Sequence, residues 1–257
     1  MNQAVERAGA DRGRSAALES HAPPDCTLPK VAAFDVFGTV VDWHGTITRE
    51  VESLGLGVNG SDFALAWRDL YRPAMAEVRE GRIGWTSIDV LHRQNLEEIL
   101  RRFGIRHLSE AEKRSLNRVW HRLEPWPDAV AGLGRLRRGM MICTLSNGNL
   151  ALLANMAKAS GLPWDLIVSA ENFRRYKPDP ASYQGLCALW EISGEELLFV
   201  AAHKDDLDAA HAATGCRTAF VCRPQEFGPR GRSDLQRESR FTYHASDFHD
   251  LAHQLKL

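Results

Sequence analysis

The stretch VAAFDVFGTV at residues 31–40 decides how the chain is read: four apolar residues end in Asp35, with Gly38 and Thr39 close behind. A short apolar run broken by turn residues is the pattern of a buried strand opening into a polar loop. Runs of the same shape recur as MMICTL at 140–145, LLFVAA at 197–202 and TAFVC at 218–222, with DLIVS at 165–169 as a shorter one. Helical patterns separate them, which predicts βαβ units and a parallel sheet. Ligands of such sheets bind at the carboxyl ends of the strands. Reading those ends collects Asp35 and Thr39, then Ser146 and Asn147, then His203, Asp205 and Asp206, with Lys177 of RRYKPDP between them. A carboxylate at the first strand's end, a lysine and several small hydrogen-bonding groups are therefore expected to meet.

Outward from that strand, residues 46–124 hold no comparable run and show amphipathic periodicity instead. Leu65, Trp67 and Leu70 form one pattern, and Ile88, Leu91, Leu96, Ile99, Leu100 and Phe103 a second. Ser109 and Glu112 have capping-box spacing ahead of Leu116, Val119, Trp120 and Leu123. This predicts a helical domain over 46–124, inserted after the first strand of an α/β core made of 30–45 and 125–257, with PWP at 125–127 marking the return. Residues 1–29 have few large apolar side chains and end in prolines, and are expected to be a mobile tail.

Of 257 residues, 44% are apolar and 25% charged, the balance of an ordinary globular protein. Thirty-two Lys and Arg against 33 Asp and Glu leave a net charge of −1, which removes the electrostatic case for nucleic acid or an anionic membrane as partner. No apolar run reaches the roughly 18 residues of a membrane span, and the N-terminus lacks the apolar centre of a signal peptide, so a cytoplasmic location is expected. Cys26, Cys143, Cys187, Cys216 and Cys222 form no CxxC pair, which argues for reduced structural thiols rather than a disulfide framework or zinc cluster.

FDVFGTV at 34–40, LSNG at 145–148, YKPD at 176–179 and VAAHKDD at 200–206 resemble, in order and spacing, the four motifs of the haloacid dehalogenase superfamily. Within it the chain is most similar to the L-2-haloacid dehalogenases. They share an aromatic two residues after the nucleophile (Phe37), the LSNG motif, a KPD motif with Tyr six residues after its lysine (Tyr183), and a WR pair in a helical cap (Trp67 and Arg68). The resemblance implies a Rossmann-like core under a helical cap. It also implies hydrolysis of short 2-haloalkanoic acids, haloacetates such as fluoroacetate and L-2-haloacids, to 2-hydroxy acids through an aspartyl ester. Asp35 would be the nucleophile. Val36, Phe37, Ser146 and Tyr183 would bind the substrate carboxylate and its surroundings, Asn147 and Arg68 the halide, and Thr39, Lys177 and Asp206 would serve the nucleophile and water. No metal or cofactor is implied, and a homodimer is allowed.

Two absences sharpen that expectation. Phosphatases of the superfamily carry a second aspartate two positions after the nucleophile, since an alkoxide leaving group needs a proton; here that position is Phe37. The aspartate that would hold Mg²⁺ falls at Ala202. The fourth motif departs from the dehalogenase pattern as well: Ala201 and His203 stand where Ser and Asn are usual, and His203 is assigned a pocket role toward the halide or the hydrolytic water. The alternatives left open are an atypical phosphatase, and a non-catalytic relative that binds a small carboxylate or a partner.

Overall fold

The computed structural model describes residues 28–229, 231 and 235–257; the expected tail, up to residue 27 and including Cys26, lies outside them. Among the described residues a five-stranded parallel sheet has β1 (Val31–Phe34) near its centre. The segment after it forms β2 (Val41–Asp42) and five helices: α1 (Trp43–Ser53), α2 (Gly60–Asp69), α3 (Tyr71–Arg79), α4 (Ile88–Arg102) and α5 (Glu110–Asn117). The chain returns through β3 (Glu124–Pro125) into α6 (Ala129–Leu136), β4 (Met141–Thr144), α7 (Leu150–Ser160), α8 (Ala170–Phe173) and α9 (Pro180–Trp190). It closes with β5 (Leu197–Ala201), α10 (Lys204–Thr214), β6 (Arg217–Val221), β7 (Tyr243–Ala245) and α11 (Phe248–Gln254).

The sheet order is β4-β1-β5-β6-β7. β1 is flanked on both sides, Val31 through Phe34 pairing with Met141 through Thr144 and with Leu197 through Val200. Its four residues are fully buried, as a strand covered on both faces requires. Period two divides them: Val31 and Ala33 pack with Phe199 and Tyr183 on one face, Ala32 and Phe34 with the larger cluster on the other. Phe34 meets the rings of Trp164 and Phe248 at 5.4 and 5.6 Å.

The DLIVS run is not a strand. It forms only single bridges, Leu166 to Cys143 and Ser169 to Ser146, because side chains take the places of the ladder's backbone groups. Asp165 accepts the Ile142 N–H, and the Thr144 hydroxyl both donates to the Val168 carbonyl and accepts its N–H. β7, three half-polar residues, had no apolar run to announce it.

The two ends of the helical segment are joined where β2 and β3 pair antiparallel through Val41–Pro125 and Asp42–Glu124. Helix α1 opens at Trp43, ahead of the expected 46, because Asp42 is its N-cap and accepts the Gly45 N–H at 2.8 Å. Ser109 and Glu112 form the expected capping box. Ile88, Leu91, Leu96, Ile99 and Leu100 of α4 are buried as expected and Phe103, just past its end, is half-buried, but on α2 the buried face is Phe63, Ala64 and Trp67, while Leu65 and Leu70 are only half-buried. Trp67 and Trp120 pack edge to face at 5.4 Å, and the apolar cluster runs without a break from them to β1. No helix among the described residues is long and apolar enough to cross a membrane. Cys143 and Cys216 are buried and Cys187 and Cys222 half-buried, all unpaired with one another, and burial pushes the Cys143 and Cys216 thiols up to about 12 and about 11.

Candidate active site

Asp35 follows β1 directly, its N–H donating to the Val200 carbonyl of β5 at 3.0 Å, so the sheet fixes its backbone. Its carboxylate, 7% exposed, is held by three donors. Lys177 Nζ reaches Oδ1 at 3.1 Å, while the Thr39 hydroxyl and His203 Nδ1 reach Oδ2 at 2.8 and 3.1 Å. Burial alone would raise its pKa, but the Lys177 ammonium and the bonds from His203 and Thr39 hold it well below the usual carboxylate range. Thr39 is fixed in turn, its Oγ1 accepting the Ala202 N–H at 2.9 Å.

Lys177, 5% exposed, spans two carboxylates: it also donates to Asp206 Oδ2, at 2.5 Å. Burial disfavours its charge, yet Asp206 and Asp35 together raise its pKa above the ordinary lysine value. Asp206 accepts the Tyr183 hydroxyl on its other oxygen, and burial together with the Asp35 charge pushes its pKa up despite Lys177. Asn147 serves the lysine's backbone, accepting the Lys177 N–H at 2.8 Å and donating to its carbonyl at 3.4 Å. Both polar atoms of the expected halide ligand are thus engaged.

His203 caps the start of α10 and bridges two carboxylates, Asp35 through Nδ1 and Glu226 Oε1 through Nε2 at 2.8 Å. Burial would lower its pKa, but the two anions raise it to about 10, so both ring nitrogens donate. Glu226 also accepts Trp43 Nε1 at 3.3 Å. It backs Gly38, whose φ of +85° and lack of a Cβ are both required: a Cβ there would run into the Glu226 carboxylate. Arg223 braces the same loop, donating to the Thr39 carbonyl at 2.8 Å and pairing through both terminal nitrogens with Asp128.

These groups open on a cavity of about 180 Å³, lined from the core by Asp35, Asn147, Lys177, His203 and Asp206 and from the helical segment by Arg68, Tyr71 and Met75, with Phe37 between. A void of about 150 Å³ holds a benzene-sized guest, so the space suits a ligand of a few heavy atoms. Thr39 and Tyr183 stand behind the lining, as do Ser146, whose Oγ accepts the Gly148 N–H, and Val36, whose carbonyl accepts the N–H groups of Val40 and Val41.

The opposite wall is aromatic. Arg68 places its guanidinium carbon 4.2 Å from the Tyr71 ring centre, 5.3 Å from Trp43 and 6.0 Å from Phe37, and its buried Nη1 has no partner among the described residues. Behind it His92, 1% exposed, is stacked between Trp120 at 4.1 Å and Tyr71 at 5.7 Å. Neither His92 ring nitrogen has a partner among the described residues, and burial lowers its pKa to about 3. The two walls are joined around the cavity: Arg72 of α3 pairs with Asp205 of α10 at 2.8 Å, the Tyr176 hydroxyl donates to the Thr86 carbonyl, and Asn149 donates to Asp89.

The strand-end residues thus meet in space. Reading the sequence missed Glu226, Arg223 and His92. Only His92 left a trace, a histidine four residues from both Ile88 and Leu96 on the apolar stripe of α4.

A parallel core with an aspartate closing a strand flanked on both sides, a lysine clamp and a helical insert defines the class. Residues 29–214 match the haloacid dehalogenase-like hydrolase family, and the chain belongs to it. Among solved structures it is similar to the L-2-haloacid dehalogenase PA0810, at 41% identity and TM-score 0.84, covering 89% of this chain and all of that one. It is also similar to the defluorinating L-2-haloacid dehalogenase Rha0230, at 40% identity and TM-score 0.86, covering 89% and 96%. (S)-2-haloacid dehalogenase 4A of Burkholderia cepacia is 30% identical over 193 residues, 70% of this chain and 78% of that protein.

Proposed function

We propose that this protein hydrolyses the carbon–halogen bond of short 2-haloalkanoic acids, haloacetates among them, with the helical segment closing over the site as a cap. The observation that carries the reading is the buried, ionised Asp35 carboxylate, fixed by Lys177, Thr39 and His203 and facing a small cavity that Arg68 also lines. A depressed pKa keeps the carboxylate free of protons, the state a nucleophile needs. Asp35 attacks the halogen-bearing carbon and displaces halide, leaving an ester on its own side chain. Arg68, held flat against aromatic rings, presents a fixed cation to the departing halide. The backbone after Asp35 takes the substrate carboxylate, while Ser146, behind the lining, shapes the neighbouring turn by accepting the Gly148 N–H. Water then attacks the ester carbonyl, releases the 2-hydroxy acid and restores Asp35.

Phe37 fills the position from which a phosphatase's acid would protonate an alkoxide, and its ring packs edge to face on Trp120 and Tyr71. A halide leaves without a proton, so an apolar wall there suits carbon–halogen cleavage. The test is halide release from fluoroacetate, chloroacetate and L-2-chloropropionate beside phosphate release from a generic phosphate ester, with and without chelator. Halide release that survives chelation is expected, with Asp35→Asn lowering it by about 10⁴-fold or more. Chelator-sensitive phosphate release without halide release would replace this reading with the phosphatase one.

A further inference from the structure

Glu226 lies beyond the four motifs and beyond the residues matched to the family, on the turn after β6. Its carboxylate, 2% exposed, is nevertheless placed where three parts of the site meet. It accepts from Trp43 at the start of α1, presses on Gly38 of the nucleophile loop, and takes Nε2 of His203 at 2.8 Å. Resting on the reading of Asp35 as the nucleophile, we propose that Glu226 is a positioning residue for ester hydrolysis, holding His203 by Nε2 so that Nδ1 takes the proton from the attacking water.

The geometry separates the two halves of the reaction. In the resting protein His203 donates to two carboxylates, and both bonds are charge-assisted. Once Asp35 is an ester it is neutral, and Glu226 is the one carboxylate still bonded to His203 among these contacts. The imidazolium then loses its Nδ1 proton to solvent, which the partly exposed ring reaches, while Nε2–H stays on Glu226. Nδ1 becomes a lone-pair acceptor beside the ester carbonyl carbon, in the cavity that both residues line. Water's oxygen forms a bond to Cγ of Asp35 as one proton passes to Nδ1. The tetrahedral adduct collapses by breaking the bond between Cγ and the ester oxygen, which Asp35 itself supplied and which stays on the substrate carbon. That oxygen takes the proton back from Nδ1 and leaves as the hydroxy acid. The second water proton passes from the new carboxyl group to Nδ1, so that Asp35 is again an ion and His203 again donates from both nitrogens.

Asp206, the other nearby carboxylate, has both oxygens engaged, one by Lys177 and one by Tyr183. Its basicity is spent on fixing the lysine. His203 is the group whose acceptor is freed by the first step, and Glu226 determines which nitrogen that is.

Rapid-quench kinetics on chloroacetate with the full chain tests this. Glu226→Gln should keep the first-turnover halide burst within about threefold while lowering steady-state turnover at least about tenfold, and a carboxymethyl adduct on Asp35 should accumulate in intact-mass spectra. In a His203→Gln background Glu226→Gln should add nothing further. Should Glu226→Gln fail to fold, His203→Gln alone must accumulate the adduct. Burst and turnover falling together with no adduct, independent effects of the two substitutions, or no adduct in His203→Gln would each overturn the assignment while leaving Asp35 as nucleophile. Absence of halide release by the wild type from every 2-haloacid tried would overturn the proposed function, and this assignment with it.

Discussion

The two walls of the cavity are built on opposite plans. On the core side, the charged groups around Asp35 are paired and often shared: Lys177 serves Asp35 and Asp206, His203 serves Asp35 and Glu226, and Asp206 accepts from two donors. On the side of the helical segment, Arg68 and His92 are stacked on rings, and Arg68 Nη1, both His92 nitrogens and Trp120 Nε1 lack partners among the described residues. The difference teaches where each wall's free energy goes. The core wall holds charges already oriented for reaction, so it ties catalysis to stability. The aromatic wall holds its cation by packing against rings rather than by ion pairs, so it tunes catalysis with little bearing on the fold.

The hardest blow to this contrast is Lys177→Met. Removing one partner of a buried ion pair costs about 3–5 kcal/mol, because the charges left behind are uncompensated. A drop in melting temperature on the order of 10 °C is expected, together with loss of halide release. A melting temperature unchanged within about 2 °C would show that the core wall does not couple the two properties. Arg68→Lys keeps the charge but loses the flat stacked surface and the fork of donors. It should lower kcat/KM by about 10²-fold and leave the melting temperature nearly unchanged, measured on the same preparation. A variant that melts early would place Arg68 with the structural charges.

The smallest effect at neutral pH should have the opposite sign. His92→Phe keeps a ring between Trp120 and Tyr71 and removes two unpartnered nitrogens, and is expected to stabilise by about 1 kcal/mol in denaturant titration. The gain should widen in acid. In the folded protein His92 protonates only near about 3, whereas unfolded it does so near its ordinary 6.5. As pH falls below 6.5 the unfolded chain binds a proton that the folded chain refuses, so the wild type loses about 1.4 kcal/mol per pH unit from this group. A parallel pH dependence for wild type and variant would mean that His92 finds a partner in solution.

The parts legible in the sequence are those in which local pattern and position coincide. Asp35, Asn147, His203 and Asp206 follow the ends of apolar runs, and strands laid side by side bring their ends together. Glu226 and Arg223 sit on a turn whose path depends on tertiary packing, so nothing in their spacing marks them. DLIVS misled because apolar runs measure burial, not pairing: Asp165 and Thr144 replace ladder bonds with side-chain bonds. Leu65 and Leu70 misled for a related reason, since a helix packed against aromatic neighbours buries whichever face carries Phe63 and Trp67.

The pairing of β2 with β3 has a consequence for how such a molecule diversifies. Because Val41 and Asp42 lie beside Pro125 and Glu124, the two ends of the helical insert are neighbours, and the core sees it as a long hairpin loop. An insertion whose ends meet in this way can be lengthened, shortened or exchanged without rethreading the sheet. The continuous apolar cluster restricts that freedom to replacements that bring a matching aromatic face for Phe37. Grafting experiments on this architecture should therefore keep the two-residue clasp as the backbone joint and treat the rest of the graft as a surface to be matched, with partners for the contacts that Arg72, Thr86 and Asp89 now make to the core.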